Sequence, residues 1–93
     1  METSIRNRIL IYMIQNNMAN KVQCFGKLAE LLGDEIWIEN IHDTDGLFQF
    51  IIEKYPTIHS RDVLLSVNRK LVTSNTALLP TSEIALLPPF SGG

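Results

Sequence analysis

The chain has one cysteine, Cys24, among 93 residues, so an intramolecular disulfide is impossible and a reducing compartment, the cytoplasm, is the default. In an apolar strand context Cys24 reads as a packing residue. Charge of one sign is lacking too: 8 basic against 10 acidic residues give a net charge of −2. That leaves no basic excess to neutralise phosphates, which excludes nucleic acid as the main partner. No long hydrophobic run exists. The N-terminal stretch Ile9 to Ile14 is far shorter than the roughly 20 residues that span a bilayer. It is also too short for the apolar part of a signal peptide, and no small-residue cleavage site follows it, so no membrane partner is expected. No metal-ligand spacing, phosphate-cradling glycine loop or nucleophile elbow is found. His42 and His59 stand far apart and read as surface residues. The pairs Asp34/Glu35 and Asp43/Asp45 fall at element ends, where carboxylates cap helices or are solvated.

What is present is an ordinary globular composition, 45% hydrophobic and 19% charged, in a chain of single-domain length. Residues 1–20 form an N-terminal extension of unassigned role. There Ile5, Ile9, Tyr12 and Met13 share a helical face, while Ile9 to Ile14 could equally be a strand. Residues 21–93 form the domain proper. Alternation predicts strands over Lys21 to Phe25, with Val22 and Cys24 on one face, and over Glu35 to Asn40, with Ile36 and Ile38 opposed to Trp37. Between them lies a helical turn with Leu28, Leu31 and Leu32 inward, ended by Gly33. Asp43 or Thr44 caps one long helix carrying Leu47, Phe48, Ile51, Ile52 and Tyr55, which Pro56 stops. An irregular link over Ile58 to Asp62 follows. Strands are then predicted over Leu64 to Asn68, at Leu71-Val72 and over Glu83 to Leu87, with turns at Asn68-Arg69-Lys70 and Pro80-Thr81-Ser82. Pro88-Pro89 ends pairing because neither residue can donate to a ladder.

Two strands before the long helix and the rest after it predict an α+β fold. It is a ubiquitin-like β-grasp, a mixed sheet with the main helix packed on one face and the first and last strands adjacent near its centre. A flexible C-terminal tail, 88–93, leaves the sheet. In that tail Pro88 and Pro89 stiffen the exit, Phe90 is an apolar side chain beyond the last strand, and Ser91-Gly92-Gly93 has almost no side-chain volume. Such a segment can enter a narrow channel. With no other reactive group placed for chemistry, the Gly93 carboxylate is the reactive candidate, and it needs activation by a partner, most simply by adenylation.

The ending Leu86-Leu87-Pro88-Pro89-Phe90-Ser91-Gly92-Gly93 resembles the C-terminus of molybdopterin synthase small subunits, which are ubiquitin-like sulfur carriers. Val22 to Gly33 is similar to the first strand and following helical turn of these proteins, and Ser66-Val67-Asn68 to their Val-Asn strand. Thr81-Ser82 replaces the usual Gly-Asp turn, Ala29 stands where some members carry arginine, and Leu86 and Leu87 stand in for commoner aromatics. The resemblance implies that an E1-like enzyme uses ATP to adenylate Gly93 and that a sulfur donor converts the adenylate to a thiocarboxylate. It implies that Pro88, Pro89, Phe90, Ser91 and Gly92 insert into a large synthase subunit, within a heterotetramer, with Leu86 and Leu87 at the partner interface. Sulfur then passes to cyclic pyranopterin monophosphate; the alternatives are a sulfur carrier of the same fold for thiamin biosynthesis and a ubiquitin-like covalent modifier joined through Gly93 to lysines. The chain itself would bind no cofactor or metal, and catalysis would belong to the large subunit.

Overall fold

The computed structural model describes residues 5–15, with side chains through Tyr12, and 19–89. The chain runs α1 (Ile5–Gln15), β1 (Ala19–Cys24), α2 (Gly26–Leu32), β2 (Glu35–Glu39), α3 (Thr44–Lys54), a 3-10 turn (Ser60–Asp62), β3 (Leu64–Val67), β4 (Lys70–Leu71) and β5 (Ile84–Leu87). One sheet in the order β2-β1-β5-β3-β4 holds all five strands. β1 and β5 pair in parallel near its middle, with Val22 opposite Ile84 and Cys24 opposite Leu86. The remaining pairs are antiparallel. This is the β-grasp arrangement that the element order predicts.

Period-two alternation decides which side of each strand is buried. Val22, Cys24, Ile38, Leu65, Val67, Ile84 and Leu86 point to one face and are buried there. α3 covers that face with Leu47 and Ile51, completing the core with Leu28, Ile58, Val63 and Leu78. Asp43 is the residue that caps α3: its carboxylate accepts the Gly46 N–H at 2.9 Å, and Asn75 donates to it at 3.2 Å. Those bonds, the first of them foremost, hold its pKa below the ordinary aspartate value. Thr44 has a different task. It is buried, and its hydroxyl accepts the Thr76 N–H at 2.9 Å, tying the loop before β5 to the start of α3.

Several expectations need correction. Leu31 is 56% exposed instead of inward, because the short α2 turns Leu28 onto the core with Ala29 and Leu32 partly buried beside it, and leaves Leu31 at the margin. The link before β3 contains the 3-10 turn, with Ile58 buried. β1 reaches back to Ala19, ahead of the boundary drawn after residue 20. The segment before it takes the helical one of the two forms that the sequence left open, α1, with Ile5, Ile9, Ile11 and Tyr12 largely exposed.

Candidate functional site

β5 is the strand that delivers the tail. It lies between β1 and β3, so both its edges are hydrogen-bonded and the tail starts from the interior of the sheet. The parallel ladder continues one step beyond β1, where the Phe25 N–H donates to the Leu86 carbonyl at 3.0 Å. Leu86, placed at the partner interface on sequence grounds, is instead fully buried. It shares the core face with Ile84 and sits between Cys24 and Leu65, so it cannot touch a partner. Leu87 points the other way and is half-buried. Pro88 is half-buried and packs against Gly26, while Pro89 is exposed. Phe90, Ser91, Gly92 and Gly93 lie outside the described residues.

The face of the sheet opposite α3 is the second component. Lys21, Gln23, Trp37, Leu64, Ser66, Leu71, Ala85 and Leu87 lie on it by register and alternation. Phe25, 45% exposed, continues it beside Leu87, and Leu87 is paired with Leu64. The end of this face nearest the tail is therefore apolar. Farther along, Lys21 and Glu35 pair at 3.5 Å and Arg69 and Glu83 at 3.2 Å, both at solvent-exposed positions where such pairs contribute little. Phe25, Ser66, Ala85 and Leu87 line a shallow hollow with Lys21 and Arg69 at its margin. Phe25 and Leu87 form its apolar end, while Gln23 and Glu83 join its polar lining, and such a mixed surface suits a protein partner.

The groups that could do chemistry on their own are placed elsewhere. Cys24 is buried, and burial first, then the charge of Asp34, pushes its thiol pKa up, so it is a poor nucleophile. Asp43 is engaged as a cap and held ionised. His42 and His59 are both exposed. Among the described residues no three His, Cys, Asp or Glu side chains cluster closely enough to hold a metal ion. No helix among them is long and apolar enough to cross a membrane.

The sequence model of the ThiS family matches residues 22–93, from β1 through the final glycine of the sequence. The chain belongs to the ThiS family. As a ThiS-family member it is a ubiquitin-like sulfur carrier. Two solved structures share the fold. SAMP1 from Haloferax volcanii aligns with a TM-score of 0.63 at 22% identity, over 81% of this chain and 99% of that one. A subunit in the complex of subunits 1 and 2 of molybdopterin-converting factor from Helicobacter pylori 26695 aligns with a TM-score of 0.56 at 23% identity, over 82% of this chain and 100% of that one. At these identities the likeness establishes the β-grasp fold of the ThiS-family domain.

Sequence reasoning missed Gly26. Its position directly after a predicted strand was the available signal, but the reason for a glycine there, the Pro88 ring, comes from the other end of the domain. It also missed Phe25 and Leu64, which look unremarkable until β5 is inserted between their strands.

Proposed function

We propose that this chain is the sulfur-carrier small subunit of molybdopterin synthase. The observation that carries the proposal is the ending Pro88-Pro89-Phe90-Ser91-Gly92-Gly93 on a ThiS-family domain. The apolar sheet face beside the tail root supports it, since a subunit that inserts its tail into a partner needs a surface that docks next to the insertion point. The Helicobacter pylori structure, a complex of two molybdopterin-converting factor subunits, is a precedent for such pairing on this fold.

In this reading Gly93 carries a free carboxylate. A carboxylate oxygen attacks the α-phosphorus of ATP on an E1-like enzyme, and pyrophosphate leaves. Hydrosulfide supplied by the donor then attacks the acyl carbon, AMP leaves, and loss of the S–H proton gives the thiocarboxylate. The tail from Pro88 to Gly92 threads into the large subunit, in a heterotetramer, where the sulfur passes to cyclic pyranopterin monophosphate. The chain positions the reactive end; the partners supply ATP and the catalytic groups. A carrier serving thiamin biosynthesis would share the fold and the terminal chemistry, and the Pro88-Pro89-Phe90-Ser91 segment favours the pterin route over it.

The test is direct. Incubation with the activating enzyme, ATP and a sulfur donor exchanges one terminal oxygen for sulfur, seen by intact mass spectrometry. The product, mixed with a large synthase subunit and cyclic pyranopterin monophosphate, yields molybdopterin. Deleting Gly93, or appending a residue that is shown to remain, abolishes transfer without unfolding the domain. Transfer by a chain verified to extend past Gly93 would refute the assignment, and sulfur delivery to a thiazole precursor instead of the pterin would move the chain to the thiamin route.

A further inference from the structure

Gly26 opens α2 at φ +57°, in the left-handed region that side chains rarely adopt. A Cβ built on it would stand 2.9 Å from Pro88 Cγ and 3.4 Å from Pro88 Cδ. The first distance is too short for any real contact. The obstructing atom belongs to a closed ring, which cannot swing aside as the end of a long side chain could. Both sides of the contact are anchored. Gly26 follows Phe25, whose N–H is bonded to the Leu86 carbonyl, and Pro88 follows Leu87 at the end of β5. Beyond that bond neither Pro88 nor Pro89 has an N–H with which the sheet could hold it. What fixes the first tail residue is the seat that the missing Cβ leaves. Pro88 and Pro89 then line one groove between Lys27, Leu28 and Leu31 of α2 and Thr57, Ile58 and Asp62 of the link before β3.

We infer that Gly26 is a positioning residue for the tail: it seats the Pro88 ring on the first turn of α2 and so sets the direction in which the Gly-Gly segment leaves the sheet. The functional consequence rests on the sulfur-carrier reading; the geometry does not. A displaced Pro88 carries its displacement outward, because Pro89 also has a fixed φ and leaves fewer backbone torsions to compensate. The partner then has to redirect the tail before it can thread it. Gly93 lies four residues beyond Pro89, so its chemistry is untouched once it is in place. The penalty falls on capture and not on the reaction.

The experiment compares Gly26→Val and Pro88→Ala, singly and together, each loaded as the thiocarboxylate, in single-turnover sulfur transfer to a large synthase subunit. Gly26→Val raises the half-saturating concentration of that subunit about tenfold and leaves the limiting rate within about twofold. In the Pro88→Ala background, where no ring remains to be displaced, the same substitution raises it less than about threefold, a coupling that a merely structural role would not produce. Gly26→Ala is run in the same cycle and shows the same coupling at smaller size, so the comparison survives if the valine variant fails to fold. Equal increases in both backgrounds, or a fall in the limiting rate alone, would overturn the inference. In the free wild-type chain, nuclear Overhauser contacts join Gly26 Hα to the Pro88 ring protons. A chain that shows this contact but accepts no sulfur sinks the carrier reading and leaves the tail direction standing. A chain that transfers sulfur without the contact sinks the positioning role alone.

Discussion

Leu86 and Leu87 are neighbours of the same type, and the fold assigns them opposite roles, which a pair of alanine variants can separate. Leu86 is 0% exposed, on the central strand, between Cys24 and Leu65. Leu86→Ala removes three methyl or methylene groups, which at about 0.8 kcal/mol each is about 2.4 kcal/mol of lost transfer energy. The site is braced by strands on both sides and cannot collapse well, so a cavity remains and the total rises to about 3–4 kcal/mol. A chain of this length has a stability on the order of 5–14 kcal/mol, so the loss is a large fraction of it. Leu87, half-buried on the opposite face, loses about 1 kcal/mol or less when truncated. Urea titration of both variants, with unchanged m-values, gives the two numbers. A Leu86→Ala loss under about 1 kcal/mol, together with weakened partner binding, would refute the core assignment and restore Leu86 to the interface.

Asp43→Ala lowers stability at neutral pH by removing the α3 cap. Because the native pKa of Asp43 is depressed, its contribution is fully present above the ordinary aspartate value and is lost as pH falls through the native value. The gap between variant and wild type in melts across acid pH should therefore close, and a constant gap would refute the linkage. Arg69 sits at φ +70° in the two-residue turn between β3 and β4, where Asn68 also has positive φ. Arg69→Gly relieves that conformation at the expense of an exposed ion pair, a net gain of about 0.5 kcal/mol in urea titration. A loss would show that the ion pair outweighs the strain. A chain starting at Met18 keeps β1 whole and every member of the main core cluster, so its stability changes by about 0.5 kcal/mol or less. Failure of that chain to fold would make α1 part of the core.

Much of the fold was legible because its determinants are local. Val22/Cys24 and Ile36/Ile38 alternate, Leu47 and Ile51 recur at helical spacing, and Pro88-Pro89 cannot continue a ladder. Leu86 was misplaced because two adjacent leucines look alike until a register is chosen. The information to separate them was nevertheless present: parallel pairing with β1 sets Leu86 beside Cys24, which already read as buried. Leu31 was misplaced because helical spacing says which side chains share a face, not how far the core extends beneath it. The clasp of Thr44 with Thr76, and of Asp43 and Asp45 with Asn75, joins residues about thirty positions apart and leaves no local signal. Of the site, the tail residues were read from their order in the sequence and from the resemblance of the ending. The apolar face formed by Phe25, Leu64 and Leu87 required the strand order.

That face answers an energetic difficulty built into the tail. Fixing the backbone of a residue costs about 1–2 kcal/mol, and glycine, having the most freedom, loses the most. Threading Ser91-Gly92-Gly93 into a channel is therefore unfavourable by several kcal/mol, and these residues have almost no side chain with which to offset it. The thinness that lets them enter is the property that prevents them from binding tightly. On the carrier reading, the affinity has to come from elsewhere on the chain. The candidates are Phe90 and the Phe25–Leu64–Leu87 end of the sheet, which removes apolar area from water without ordering any new backbone. The pairing of β1 with β5, extended by the Phe25 N–H bond to the Leu86 carbonyl, sets Phe25 beside Leu87 where the strand runs on into Pro88.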